Sequence, residues 1–346
     1  MSGAPRCRFC DAPLQLSLVD LGRTPLANGY LTAEQLGAPE PAYPLHVRVC
    51  GDCRLVQLET TVDPGDIFSH YLYFSSYARS WVEHTRRFSD MARARWHLGP
   101  RSRVIEIASN DGCLLRHFMA SGVPVLGIEP AANVAEVARA AGVPTEVAFF
   151  GLDAARRLKE EGRAADLVIG NNVLAHVPDI NDFVAGLAHI LKPDGVVSVE
   201  FPHLLRLLAE VQFDTIYHEH YSYLSLHVIE RVFAAHGLRV FDVEEIPTHG
   251  GSLRVMACLA KSGAHAEAPG LQKVRRDEFA SGLDGDAVYV GFERKVHAAR
   301  EALLAFLHRA RGKAKRVAAY GAAAKGNTLL NYCGIDAGLV AYAVDR

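Results

Sequence analysis

Apolar residues in the middle of this chain fall in short runs, each cut off by small or turn-forming residues and followed by apolar positions at helical spacing. The clearest unit is 103–112, Arg-Val-Ile-Glu-Ile-Ala-Ser-Asn-Asp-Gly. Val104, Ile105 and Ile107 make the kind of run that becomes a buried parallel strand. The run ends in a small-residue turn, and Leu114, Leu115, Phe118 and Met119 continue at helical spacing. The same alternation predicts a strand at 124–128, a helix at 131–141, a strand around 146–149 and a polar helix to Gly162. A strand at 165–170, a strong turn at 191–195 and a strand at 196–200 follow. Residues 239–244 and 253–258 predict an antiparallel pair. Strands alternating with helices predict an α/β fold with a doubly wound parallel sheet. A second strand–helix–strand start is predicted after a long helix at 290–311, from strands at 315–320 and 339–344 and a helix opening at 328–332.

The 346 residues suffice for two or three domains. The division expected is 1–70, 71–262 and 263–346, with the last domain ending early. Composition is that of a globular protein, and a net charge of −2 gives no electrostatic case for nucleic acid or a membrane surface. No stretch approaches a membrane span and no secretory pattern opens the chain, so a cytoplasmic setting is expected. Seven cysteines in that setting argue for metal ligation or free thiols. Cys7-Arg-Phe-Cys10 and Cys50-Gly-Asp-Cys53 are two C-x-x-C pairs, and together they predict a closed four-sulfur zinc site that is structural. The 39 residues between Cys10 and Cys50 must form an insertion between the knuckles.

The turn after the first central strand has Ala108 where a first glycine might stand, and Gly112 is its only glycine. A dinucleotide pyrophosphate needs more glycine than that, which disfavours a dehydrogenase. Glu129 ends the second strand, where an acid accepts hydrogen bonds from ribose hydroxyls. An adenosine ligand without pyrophosphate fits both facts, and S-adenosylmethionine is the candidate. Asn171 and Asn172 end a later strand on the same rim as Asn110 and Glu129. Tyr71, Tyr73, Phe74 and Tyr77 crowd one segment, as a pocket wall or as ordinary packing. Tyr217-His-Glu-His-Tyr221 packs two imidazoles, a carboxylate and two phenols into five positions. H-E-x-x-H is absent, so proton transfer is the expected chemistry. The spacing leaves open whether His218 or His220 is the base. The loop 321–327, with Lys325, reads either as a phosphate cradle at a helix N-terminus or as a plain strand–helix turn.

These motifs, in this order, resemble the S-adenosylmethionine-dependent sugar C-methyltransferases, which act on thymidine-diphosphate-linked 4-keto deoxysugars in antibiotic sugar pathways. Glu-Ile-Ala-Ser-Asn-Asp-Gly, Ile-Glu-Pro, Tyr-His-Glu-His-Tyr, His-Gly-Gly-Ser-Leu-Arg and Tyr-Gly-Ala-Ala-Ala-Lys-Gly-Asn carry the likeness beside the paired cysteines. The resemblance implies a small zinc-binding domain, a Rossmann-like class I methyltransferase domain and a C-terminal βαβ domain. It implies zinc on Cys7, Cys10, Cys50 and Cys53, and cofactor contacts from Glu106, Ala108, Asn110, Gly112, Glu129, Pro130, Asn171 and Asn172. It also implies His220 as base, with Tyr217, Glu219 and Tyr71 around a nucleotide-linked keto sugar. A monomer is compatible with all of this. The competing readings are an O- or N-methyltransferase on a related acceptor and an inactive zinc-stabilised binding module.

Overall fold

The structure is a computed structural model that describes residues 5–69, 71–321 and 323–345. His70 of the aromatic segment and Ala322 of the C-terminal loop lie outside the described residues. The described strands are β1 (Leu16–Thr24), β2 (Tyr43–Val49), β3 (Val56–Leu58), β4 (Val104–Ile107), β5 (Val125–Ile128), β6 (Thr145–Glu146), β7 (Ala165–Asn171), β8 (Leu191–Pro202), β9 (Ser222–Tyr223), β10 (Leu238–Ile246), β11 (Ser252–Leu259), β12 (Ala319–Tyr320) and β13 (Ala343–Val344).

The chain gathers into two compact units. One comprises Asp63–Phe201 and Leu226–Asp277; the other comprises Met1–Val62, Pro202–Ser225 and Glu278–Arg346. Each draws on more than one of the consecutive segments expected from the sequence.

The first unit carries a seven-stranded sheet in the order β10-β11-β8-β7-β4-β5-β6. β4 pairs in parallel with both β5 and β7, so the strand order reverses there, and ligands in such sheets bind beyond the carboxyl ends at that reversal. The predicted antiparallel pair is β10 with β11. Val104, Leu114, Leu115, Phe118, Leu167, Ile169 and Val196 form one core cluster with Phe88 and Ala92 of the helix Arg79–Arg95. The strand expected around 146–149 shrinks to Thr145–Glu146, and Val147 and Phe149 are exposed. The expected turn at 191–195 lies inside β8, as a bulge between the pairings Ala165↔Leu191 and Leu167↔Val196. The extra residues loop outward because Lys192, Pro193 and Asp194 do not pair into the ladder.

In the other unit a sheet runs β1-β2-β3-β9, all neighbours antiparallel. The insertion between the cysteine pairs is therefore β1 and β2. The long C-terminal helix is Phe292–Gly312, and β12 pairs in parallel with β13 across the helix Ala324–Cys333. That helix begins four residues earlier than expected, which moves Lys325 from the loop into the first turn. Among the described residues no helix is long and apolar enough to cross a membrane.

Candidate active site

The cofactor candidates ring the carboxyl ends of β4, β5 and β7. The turn after β4 is built from left-handed residues: Ala108 has φ 54°, Asn110 51° and Gly112 74°. The turn shape thus needs positive φ where the chain carries Ala108, a position a glycine occupies without a Cβ penalty. At Gly112 a Cβ would also sit 2.8 Å from Val143 Cγ2, so this glycine is required twice over. Glu129 holds the turn, accepting from Asn110 N–H at 2.8 Å and from Ala131 N–H at 2.9 Å. Pro130, between them, is half-buried.

Several buried polar atoms on this rim have no hydrogen-bond partner: Glu106 Oε2, Ser109 Oγ, both side-chain atoms Oδ1 and Nδ2 of Asn171, and Asn172 Oδ1. Orphaned buried polar groups are costly, and a ligand with amine, carboxylate and ribose hydroxyls would satisfy them. Burial holds the Glu106 carboxyl well above the ordinary range, aided by the charges of Glu129, Asp111 and Glu200. Glu129 is also raised by burial, against the pull of its two backbone donors. The residues present therefore fit S-adenosylmethionine.

The aromatic segment is latched to this rim through its backbone. Asn133 Oδ1 accepts from Tyr71 N–H at 3.1 Å, and its Nδ2 donates to Tyr71 O at 2.6 Å. Asn110 repeats the pattern, accepting from Ser75 N–H and donating to Tyr73 O. Ser76 donates from both N–H and Oγ to Asp111 Oδ2. The Asn110 side chain is thus engaged with this segment, while its amide serves Glu129. The Tyr71 ring lies between Phe68 and Tyr73, at centroid distances of 6.1 and 6.5 Å. The sequence reading missed this latch, because nothing in local spacing ties Asn133 to Tyr71.

It also missed a buried ionic cluster. Glu200, at the end of β8, accepts from His84 Nε2 at 2.9 Å and from Arg254 at 2.6 Å. Arg254 also reaches Glu244 at 2.6 Å and lies over the Phe88 ring at 4.7 Å. Burial alone would raise the Glu200 carboxyl, but His84 and Arg254 outweigh it and bring it below the usual range. The groups are 54 and 116 residues apart from Glu200 in sequence, so no motif announces them.

The His-Glu-His segment belongs to the other unit, and its backbone is fixed from several sides. Thr328 Oγ1 donates to Ile216 O at 3.1 Å, Leu58 N–H donates to Tyr221 O at 3.0 Å, and Tyr221 OH donates to Val62 O at 2.7 Å. The two histidines differ. His218 Nε2 lies 3.3 Å from Tyr43 O, its ring meets Tyr43 edge-on, and burial lowers its basicity. His220 Nδ1 lies 2.7 Å from Thr215 O, which only an Nδ1–H can satisfy. In the neutral ring the basic lone pair then sits on Nε2. The Tyr217 ring lies against His220 at 4.1 Å. Glu219 is buried, accepts from Asn28 Nδ2, and burial raises its carboxyl.

In the metal set, the Sγ atoms of Cys7, Cys10, Cys50 and Cys53 all lie within 4.8 Å of one another. Cys7–Cys53 and Cys10–Cys50 are each 3.5 Å apart, close to the roughly 3.8 Å edge of a tetrahedron with 2.3 Å zinc–sulfur bonds. Both knuckles turn alike: the residue after each pair is left-handed, Asp11 at φ 61° and Arg54 at φ 68°. Gln57 Nε2 donates to Cys7 Sγ at 3.1 Å. The hydrogen bond between Cys7 and Cys53 lowers the Cys7 thiol and raises the Cys53 thiol. Four sulfurs leave zinc no open position, which makes the site structural.

Comparison with known proteins agrees in each region. Residues 7–68 match a zinc binding domain family, 73–243 a methyltransferase domain family, and 247–346 a C-methyltransferase C-terminal domain family. The C-methyltransferase NovU of Streptomyces niveus is 37% identical over 329 residues, which is 95% of this chain and 78% of that protein. A ubiquinone biosynthesis O-methyltransferase of Chelativorans sp. (strain BNC1) is 26% identical over 162 residues, 40% of this chain and 62% of that protein. The solved magnesium protoporphyrin IX methyltransferase of Synechocystis PCC 6803 gives a TM-score of 0.40 at 17% identity, over 51% of this chain and 82% of that one. That last likeness is too slight to carry a conclusion.

Proposed function

The chain belongs to the S-adenosylmethionine-dependent C-methyltransferases, and from that premise we propose that it methylates C3 of a thymidine-diphosphate-linked 4-keto deoxysugar through an enolate. Its cofactors are S-adenosylmethionine and a structural zinc. The observation that carries the proposal is His220, with Nδ1–H on a backbone carbonyl, Nε2 as the basic nitrogen, and a phenol and a buried carboxyl as neighbours. A hydroxyl acceptor can also use a base, so loss of the C3 hydrogen is what separates carbon from oxygen transfer. The 4-keto group acidifies C3–H, and His220 Nε2 takes that proton. The enolate oxygen needs donors, and Tyr217, Tyr71 and the raised carboxyl of Glu219 are the groups proposed for it. S-adenosylmethionine, when bound, supplies an electrophilic methyl on a sulfonium. Held at that rim, it would supply the methyl to the enolate carbon, with the neutral sulfide as leaving group. Glu106, Ala108, Asn110, Gly112, Glu129, Pro130, Asn171 and Asn172 are proposed to hold the cofactor. Lys325, in the first helical turn after β12, is proposed to meet the sugar nucleotide's diphosphate. A cytoplasmic setting keeps the four metal-binding thiols reduced.

The test is mass spectrometry on a panel of thymidine-diphosphate 4-keto deoxysugars deuterated at C3. Gain of one methyl with loss of deuterium is expected. Methyl gain with deuterium retained moves the acceptor to oxygen, nitrogen or another carbon. Cofactor binding with no methyl gain on any sugar favours a binding module.

The raised carboxyls give a second expected result. Glu106 and Glu129 keep their protons to higher pH than an ordinary glutamate. A cationic sulfonium and ammonium at this rim favour the ionised forms. Binding should therefore release protons at pH values where the free chain still holds them, and affinity should rise with pH until both carboxyls are ionised in the free chain. Calorimetry in buffers of different ionisation enthalpy measures the release. Glu106→Gln should reduce it; binding that releases no proton in the parent chain contradicts this placement.

A further inference from the structure

Arg8 lies inside the first zinc knuckle, between Cys7 and Cys10. Its backbone N–H donates to Gln57 Oε1 at 3.0 Å, and Gln57 in turn donates to Cys7 Sγ. Its guanidinium leaves the knuckle and spans two strands. Nη1 donates to Leu58 O at 2.9 Å; Nη2 donates to Tyr221 O and, at 3.0 Å, to Ser222 Oγ. Gln57 and Ser222 are direct ladder partners in the β3–β9 pair, as are Val56 and Tyr223. The cation is thus clamped where the strand after His220 joins the strand after Cys53. Tyr221 follows His220 in the chain, and the Tyr223 ring meets the His220 ring at 90° and 6.4 Å.

We propose that Arg8 is a positioning residue that couples the zinc knuckle to the His220 imidazole, so that metal occupancy sets the geometry of the proton-transfer segment. The coupling rests on the reading of His220 as base only for its effect on turnover. A guanidinium suits the task because its planar fork holds several acceptors in one fixed arrangement, which a lysine cannot reproduce. Partners behind metal ligands commonly orient what lies around a site. Here the orientation runs outward, from a closed metal site to a neighbouring strand.

The experiment uses the full zinc-loaded chain, carbon-13-labelled at histidine, with Arg8→Met, Arg8→Lys and His220→Asn variants. The His220 resonance is the one lost in His220→Asn. In Arg8→Met its titration midpoint should move by about half a pH unit or more, with zinc still at one per chain and S-adenosylmethionine affinity unchanged. Turnover should fall about tenfold or more, with KM little changed, because small misplacements of a reacting group are costly. Arg8→Lys, which keeps the charge and loses the fork, should move the resonance in the same direction, and decides the matter if Arg8→Met does not fold. Removing zinc from the parent chain should move the same resonance. A resonance that titrates as in the parent in the folded variants overturns the proposal, as does one that moves only in step with lost zinc and a lowered melting temperature. If His220→Asn turns over normally, the base assignment falls, while the resonance still decides the coupling.

Discussion

Replacing His220 with Asn should lower turnover by about a thousandfold while leaving S-adenosylmethionine affinity within about twofold. General-base contributions run from about a hundredfold to ten-thousandfold, and a thousandfold is the middle of that range. Asn keeps a polar group near the same place and can still donate to Thr215 O, so the local backbone is preserved. The loss should appear in two assays. One is methyl transfer to the keto sugar. The other is exchange of C3 deuterium into solvent without cofactor, which reports the base alone. His218→Asn is the internal comparison. His218 is turned toward Tyr43 on β2 and loses basicity by burial, so its replacement should cost stability more than exchange. Exchange within about tenfold of the parent in His220→Asn would remove His220 from the base role, and the same loss in His218→Asn would transfer it there.

The contrast between these two histidines marks where sequence stops informing. Spacing placed both in one cluster, because the Tyr-His-Glu-His-Tyr density is local. What separates them is a carbonyl of Thr215 on one side and of Tyr43 on the other. Tyr43 is 175 residues away, and no one-dimensional pattern carries that. The β4 turn shows the reverse. Ala-Ser-Asn-Asp-Gly identifies the strand–turn–helix, and the left-handed angles at Asn110 and Gly112 suit their residue types, whereas that at Ala108 does not. The alternation of strands and helices in the sheet unit was legible because apolar runs and helical spacing alternate, whereas the strand order comes from the structure. Strand ends were not, since Val147 and Phe149 look apolar enough for a strand and find no partner. The Glu200–His84–Arg254 cluster lay beyond reach for the same reason as Tyr43: each member looks like an ordinary charged residue until the fold collects them.

The cysteine pairs were legible in full as a ligand set, and they carry the largest expected effect on stability. Cys53→Ser should cost the chain its zinc and, with it, the ordered state of the unit built on β1, β2, β3 and β9. Cys53 is fully buried and lies 3.5 Å from Cys7; a serine there leaves three sulfurs and a weak oxygen ligand. Structural zinc contributes on the order of 10 kcal/mol in small domains, about the whole stability of a typical protein. The loss does not stay at the knuckle. Cys53 is followed within a few residues by β3, whose pairing with β9 fixes the backbone just after the His-Glu-His segment. The cofactor rim is made by the other unit's strands, so binding of S-adenosylmethionine is the readout expected to survive best. Zinc content by mass spectrometry and a thermal melt followed by circular dichroism are the measurements. A variant without zinc and with the parent's melting profile would show that the metal contributes little. Loss of zinc together with a lower, broader transition is expected, and a chelator should reproduce that transition in the parent chain.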